Sequence, residues 1–374
     1  MIADLLRACA DQLVDEGERR VSALAASATR EGENPLPLYS LATLCRRQGR
    51  LDLWRRLVDR ALTLPHHSYQ QIYQRGQAKL LRDDWSGWHD LESRIHDPAS
   101  GYLSSRTVRL LRFNTRPWDG QENIADKTLY VVADGGFSDC LQMMRYIPGV
   151  SARARRLVLC VRPELASLIR QAYGDSVALT LRGVEDKTSY DRYAWMMSLP
   201  ALMGELPPFV CLAGVKRDEG TADDIGVCWS GDPDWPGNAE RSVSLDVLAS
   251  LLEREAFRWY SLQAGVAASH IAPSFRIPSA PTPMHSFAHT AQRIAKLSAV
   301  VTVDTAVAHL AGAMGIPTWV LLSADADPRW GLEAATQWYP TVRLIRQRTI
   351  GDWTDVQTAL TDELEARPWR VATV

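Results

Sequence analysis

Over the first third of the chain, apolar residues recur at helical spacing. Leu5, Leu6, Ala8, Cys9 and Leu13 begin the series, and Val21, Leu24 and Ala25 continue it. The stretch "EGENPLP" interrupts it. "LYSLATLCRRQGRLDLWRRLVDRALTLP" and "SYQQIYQRGQAKLLRDDWSGWHDLESRI" then share one amphipathic texture. A shift of 34 residues sets Ala42 on Gly76, Leu51 on Trp85, Trp54 on Trp88 and Leu57 on Leu91. Small and bulky positions recurring at a fixed period predict stacked helical hairpins, each burying its apolar face on the next. The texture ends near "RFNTRPWDG".

Paired helices with this period have the spacing of tetratricopeptide repeats; a plain pair of helical hairpins is the alternative. Beyond this region the pattern changes to strand and helix in alternation. "KTLYVVADGG" predicts a strand that runs into a Gly-rich break, and "DCLQMMRYIPGV" a helix. "RLVLCV" and "VALTLRG" predict further strands, with the helix "PELASLIRQAYG" between them. The Pro-rich "MMSLPALMGELPPFV" suits a crossover. A second series follows: strand "DIGVCWSG", helix "SLDVLASLLERE" capped by Ser244, strand "RWYSLQ" and helix "SFAHTAQRIAKLS". It closes with strand "AVVTV", helix "TAVAHLAGAM", strand "TWVLL" and the amphipathic helix "DWTDVQTALTDELEA". Such alternation predicts two parallel α/β domains in tandem behind a helical one. The expected boundaries are 1–120, 121–220 and 221–374.

Composition adds little to this picture. Hydrophobic residues make up 46% of the chain and charged residues 23%, a globular balance, and a net charge of −2 gives no basic field for nucleic acid. The N-terminus has no basic and apolar leader, and no run reaches the ~18 apolar residues of a membrane span. The expectation is a cytoplasmic protein, with contact at the inner membrane left open. Six scattered cysteines without a CxxC pair predict buried free thiols, and the histidines form no metal-ligand spacing.

The segment "VVTVDTAVAHLAGAMGIPTWVLL", residues 300–322, carries the first candidate chemistry. A buried parallel strand leads into a helix capped by Asp304 or Thr305, which Gly315 and Pro317 end. The helix start falls at the carboxyl edge of a parallel sheet, where α/β proteins bind ligands, and its N–H groups suit an anion. Ala306, Ala308, Ala311 and Ala313 permit close approach. A strand–helix turn with an ordinary Asp cap and a packed His309 is the plainer reading.

This segment closely resembles the nucleotide-sugar motif of glycosyltransferase family 9, which includes the lipopolysaccharide heptosyltransferases. The resemblance is closest to that family's tetratricopeptide-containing members. It runs over roughly residues 115–365 through "RPWDG", "DGGFSDCLQMMRYIP", "MMSLP", "IGVCWSGDP", "ERSVSL", "YSLQ" and "DPRWGLEAATQWYPTVRLIRQRTIGDW". It implies the GT-B fold, two Rossmann-like domains facing a cleft, with a nucleotide-diphosphate sugar as donor substrate, no cofactor and no metal. By position, Thr305, Ala306 and Val307 would offer N–H groups to the diphosphate, with Asp304 and His309 beside them. In "ADGGFSDCLQ", Asp139 would be the general base, on a loop built from Gly135, Gly136, Ser138 and Gln142. Relatives commonly read Glu-Gln-Gly-Leu-Gly-Asp there, so Ser138 stands where a Gly is usual. In "WSGDPDWPGNAERS", Arg241 would stabilise the leaving diphosphate, with Ser242 after it and Gly231 permitting close approach. Gln263 is a weaker candidate for a base or ribose contact. For Asp139 a simple helix cap, and for Arg241 a surface arginine, are the plainer readings.

The resemblance implies inverting transfer to an acceptor hydroxyl. Helical hairpins favour a protein acceptor, such as a bacterial surface or flagellar protein. A lipopolysaccharide or polysaccharide acceptor, for which "SARARRLVL" offers a basic patch, is the alternative. A non-catalytic scaffold and a sugar-nucleotide epimerase on the same fold are two more. The block "RWGLEAATQWYPTVRLIRQ" reads equally as a pocket lining and as a structural cap.

Overall fold

The computed structural model describes Leu5, Leu6 and Cys9, residues 18–100, 115–182, 184, 188–212, 223–265, 267–268, 277 and 286–367. Most of the predicted first helix and the start of "RFNTRPWDG" lie outside these residues. The chain divides into two compact units. One comprises Met1–Ser105, Leu322–Glu333 and Arg346–Asp355; the other comprises Arg106–Leu321, Ala334–Ile345 and Val356–Val374.

In the first unit, α1 (Glu18–Arg30) precedes two hairpins: α2 (Leu36–Arg47) with α3 (Leu51–Leu62), then α4 (Tyr69–Leu80) with the short α5 (Gly87–Leu91) and α6 (Ser93–His96). Leu38, Leu41, Leu44 and Cys45 of α2 bury against Leu53, Trp54, Leu57 and Ala61 of α3. In the second hairpin the helices approach so closely that a Cβ on Gly76 would lie 2.8 Å from the Gly87 carbonyl. A capping box starts α4: Ser68 Oγ accepts from Gln71 N and Gln71 Oε1 from Ser68 N. The C-terminal segments are bonded into the unit. Buried Arg46 pairs with Asp325 and donates to the Ala326 carbonyl at 3.0 Å. Ile350 N donates to the Arg47 carbonyl at 2.7 Å.

The second unit holds two sheets. The first has order β3-β2-β1-β4, all parallel, from β1 (Thr128–Val132), β2 (Arg156–Val161), β3 (Ala178–Leu181) and β4 (Arg192–Trp195). Its connections carry α7 (Phe137–Met143), α8 (Ile147–Arg153) and α9 (Pro163–Tyr173), with α10 (Leu199–Met203) after β4. The second sheet has order β6-β5-β7-β8-β9. Its strands are β5 (Asp224–Cys228), β6 (Arg258–Ser261), β7 (Ala299–Val303), β8 (Thr318–Leu322) and β9 (Val342–Arg346). Between and after them come α11 (Asn238–Arg241), α12 (Ala249–Leu252), α13 (Phe287–Ile294), α14 (Ala306–Ala313) and α15 (Thr354–Glu365). Strands β1, β7 and β8 are buried throughout, as covered parallel strands must be.

Three expectations change. The edge strands β4 and β9 are not among the expected strands: the expected crossover starts at Met196, just after β4, and β9 lies in the aromatic-arginine block. Ser244 starts no long helix: its hydroxyl accepts from Asp246 N in a tight turn, and only Ala249–Leu252 is helical. Cys211 is exposed, whereas Cys9, Cys45, Cys140, Cys160 and Cys228 are buried free thiols. Among the described residues no helix is long and apolar enough to cross a membrane.

Candidate functional site

Strand order fixes where each sheet opens. In the first sheet the chain leaves β1 toward β2 and β3, then returns to β4 on the other side, so the switch in direction falls at β1. In the second sheet it leaves β5 toward β6 and returns to β7, so the switch falls between β5 and β7. Ligands of open α/β sheets bind at the carboxyl ends of strands at such points. The loop after β1 carries Gly135 and Gly136 and runs into the first turn of α7 with Ser138 and Asp139; the loop after β5 carries Ser230 and Gly231; the loop after β7 carries Asp304 and Thr305. The two halves meet here. The short helix α7 packs on α14 and α9 on α13, while the Phe137 and Phe287 rings lie 4.9 Å apart.

At the β1 switch point Gly135 has φ +81°, and a Cβ there would lie 2.5 Å from Asp139 Oδ2, so this position requires glycine. Asp139 Oδ2 accepts from Gly136 N at 2.6 Å and thereby caps α7. Buried Asp134 accepts from Met197 N at 2.8 Å and ties the loop to the segment after β4. Arg162 stacks on Phe137 at 4.8 Å and donates to the Gly135 carbonyl. Gln142 is buried one turn into α7. Burial, then the nearby charges of Asp139 and Asp134, push the Cys140 thiol up to about 12, which keeps it protonated and unreactive.

At the second switch point Thr305 caps α14, its hydroxyl accepting from Val307 N at 3.3 Å and lying 3.1 Å from Thr302 Oγ1. That bond occupies one of the N–H groups expected to face an anion. Ala306 opens α14, and Asp304 is half-buried before it. His309 is buried and its Nδ1 lies 3.1 Å from the Tyr339 hydroxyl, so it holds the 336–339 segment on the helix. Cys228 Sγ, 3.8 Å from Thr305 Oγ1, links the ends of β5 and β7.

Gln263, at the end of β6, reaches across to the β5 loop. Its Oε1 accepts from Trp229 N at 3.1 Å and Ser230 N at 2.9 Å, and its Nε2 donates to the Ser230 and Ala264 carbonyls. It is a clamp on the loop. Ser242 Oγ lies 3.2 Å from Ser230 Oγ and accepts from Gly231 N. Arg241 lies so close to Gly231 that a Cβ there would meet Nη2 at 2.4 Å, and its Nε donates to Asn238 Oδ1. Sequence reasoning did not single out Asn238, Trp235, Asp134 or Arg162; the first three stand beside glycine-containing turns, whereas Arg162, before Pro163, carries no such mark.

The aromatic-arginine block holds structure together. Arg329 pairs with Asp327 at 2.7 Å, Arg346 donates to the Gly331 carbonyl at 2.7 Å, and Trp330, Trp338 and Tyr339 are buried. In the "RPWDG" stretch only Trp118 is buried, donating to the Glu122 carbonyl, while Arg116, Pro117 and Asp119 are exposed.

Two parallel α/β halves that meet at their switch points, behind a helical region, define the GT-B type of architecture. Residues 259–345 match the model of glycosyltransferase family 9 (heptosyltransferase). The matched residues include Gln263, Asp304–Val307 and His309; Asp139 and Arg241 lie outside them. No curated protein matches the chain with significance. Among solved structures, it is similar to Escherichia coli heptosyltransferase WaaC with ADP, at 13% identity and TM-score 0.45, covering 64% of this chain and 99% of that one. It is also similar to E. coli ADP-heptose lps heptosyltransferase II, at 11% identity and TM-score 0.44, covering 66% and 100%. A third similar structure is the iron-containing dodecameric glycosyltransferase TibC from enterotoxigenic E. coli H10407. Identity there is 12% and the TM-score 0.44, over 58% of this chain and only 63% of TibC.

Proposed function

We propose that this chain transfers a sugar from a nucleotide-diphosphate donor to an acceptor hydroxyl, without a metal and with inversion, in the cytoplasm. The observation that carries the reading is the meeting of the two switch points, with a carboxylate on one and, on the other, a guanidinium at the β5 loop and a helix start after β7. Asp139 takes the acceptor hydroxyl proton as the oxygen attacks the anomeric carbon. The bond from that carbon to the diphosphate oxygen breaks, and the electron pair leaves with the diphosphate. Arg241 and the start of α14 at Thr305 and Ala306 stabilise that charge, the Val307 N–H being taken by the Thr305 hydroxyl. Gly231 permits the approach, and Gln263 and Ser242 hold the loop. Two parts divide the chemistry: residues 121–220 carry the base and the acceptor loop, and 221–374 hold the donor, while residues 1–120 form the helical region.

A protein acceptor fits the helical hairpins best. Arg153, Arg155 and Arg156 are exposed at the start of β2, the opposite edge from the switch points, so this basic patch lines no part of the site for a glycolipid. One observation favours a non-catalytic scaffold: Asp139 already caps α7. The two roles separate in variants. Asp139→Asn keeps an oxygen for Gly136 N but cannot take the proton. Thermal shift with ADP-, UDP-, GDP- and dTDP-sugars identifies the donor, and transfer from it is then measured. We expect Asp139→Asn to bind donor as wild type does and to lose roughly 10²–10⁴-fold in kcat. Undiminished transfer by Asp139→Asn refutes the base assignment, and donor binding with no transfer by wild type to peptide or glycolipid acceptors favours the scaffold.

A further inference from the structure

Trp235 is half-exposed, a costly place for the largest apolar side chain on a soluble surface. Its surroundings explain its position. The chain from Asp232 to Ser242 folds as successive turns: Trp235 N donates to the Asp232 carbonyl, Asn238 N to the Trp235 carbonyl and Ser242 N to the Asn238 carbonyl. This winding brings the indole back over the loop's own backbone, and a Cβ on Gly237 would lie 2.3 Å from the ring. The Arg241 guanidinium carbon sits 4.3 Å from the centre of the same ring. Asn238 Oδ1 accepts from Arg241 Nε at 3.2 Å and from Ser242 Oγ at 3.2 Å, while its Nδ2 reaches Ser230 Oγ at 3.5 Å. The guanidinium is therefore held by a ring face, by an amide oxygen, and by contact with the Cβ-less face of Gly231.

We propose that Trp235 and Asn238 are positioning residues for Arg241: they fix its guanidinium beside the β5 loop before any ligand arrives. An arginine on a surface turn otherwise samples many rotamers, and a cation over an indole face is restrained without losing its N–H donors to a carboxylate. An acidic partner would hold the cation equally well but would cancel its charge. An aromatic face and an amide leave the charge available to an anion. The inference rests on the proposed transfer reaction, in which Arg241 meets the leaving diphosphate.

The test is a double-mutant cycle on transfer from the donor identified by thermal shift, using Trp235→Ala, Trp235→Phe, Asn238→Ala, Arg241→Ala and the Trp235→Ala/Arg241→Ala pair. Acting through Arg241, Trp235→Ala lowers kcat about tenfold with KM within about threefold, since the cation matters most as charge grows on the leaving group. Trp235→Phe restores most of that loss because a ring face remains. The double variant is no slower than Arg241→Ala alone, and Asn238→Ala behaves like Trp235→Ala. Melting temperatures stay near wild type for Trp235→Ala, because the side chain is half in solvent. Wild-type kcat in Trp235→Ala, or losses that add in the double variant, overturn the inference while leaving the reaction intact. A silent Arg241→Ala overturns both the role of that cation and this inference. Absence of transfer by wild type from every donor instead rejects the reaction itself.

Discussion

Replacing Gln263 with leucine tests whether the β5 loop is held as described. The amide makes four hydrogen bonds to main-chain groups: Trp229 N at 3.1 Å, Ser230 N at 2.9 Å, the Ser230 carbonyl at 3.0 Å and the Ala264 carbonyl at 3.1 Å. Gln263 is 5% exposed, and its bond to Trp229 N is buried, whereas those to Ser230 and Ala264 are partly open to solvent. Leucine fills a similar volume and bonds none of them. The enclosed Trp229 N–H loses its partner at about 1–3 kcal/mol, and the three partly wet groups recover most of theirs from water at a few tenths each. The sum is about 2–4 kcal/mol, which for a domain of this size lowers the melting temperature by roughly 4–16 °C. Circular dichroism melts at pH 7 measure it, and donor-induced thermal shift falls with it because the loop no longer holds Gly231 and Arg241 in place. Glutamate at the same position separates the two halves of the clamp, since it keeps the acceptor for both N–H groups but faces two carbonyl oxygens with a charge. A Gln263→Leu protein that melts within about 2 °C of wild type refutes the clamp.

Other consequences follow from close contacts and buried charge. Gly135→Ala puts a Cβ 2.5 Å from Asp139 Oδ2 at φ +81°; we expect about 1–2 kcal/mol lost and a fall in kcat, and a variant with unchanged rate shows that Asp139 tolerates displacement. Gly312→Ala drives a methyl to 2.6 Å from the Tyr339 ring, costing about 1–3 kcal/mol by overpacking, seen as a lower melting temperature. Asp90 is buried, which opposes its charge, yet hydrogen bonds from Arg75 and Lys79 hold its carboxyl below the usual value. A depressed folded pKa contributes stability that is present above the unfolded value near 4 and is lost as pH falls through the folded one. Asp90→Asn should therefore cost about 1–3 kcal/mol at pH 7, with the gap to wild type in urea melts closing below about pH 4; a gap independent of pH contradicts the ion pairing.

The interior of the fold was legible because its strands are apolar on both faces. "TLYVV", "AVVTV" and "TWVLL" could be little else, and all three are fully buried. The missed strands lie at sheet edges. β4 reads "RYAW" and β9 "VRLIR", short and interrupted by arginine, since an edge strand needs only one neighbour and partial cover. The helix expected from Ser244 failed because that hydroxyl bonds two residues on and makes a turn instead. Glycines and caps marked the site's loops, since a positive φ or a tight approach limits the choice of residue. What periodicity could not show was which polar groups face a ligand and which face each other.

That division decides how the candidate residues should be read. Gln263, Ser242 and Thr305 all lie at the carboxyl edge of the second sheet, and all three direct polar atoms at neighbouring main chain: Trp229 and Ser230, Gly231, and Val307. His309 likewise spends a ring nitrogen within the protein, on the Tyr339 hydroxyl. These residues build the rim. In the proposed reaction, contact with the ligand would fall instead to the guanidinium of Arg241, held on Trp235, and the start of α14 at Ala306. On the opposite half the proposed reading gives Asp139 both roles, helix cap and base. A cap at 2.6 Å fixes the direction of that carboxylate, so the bond that favoured a purely structural reading is also what a general base needs to be aimed.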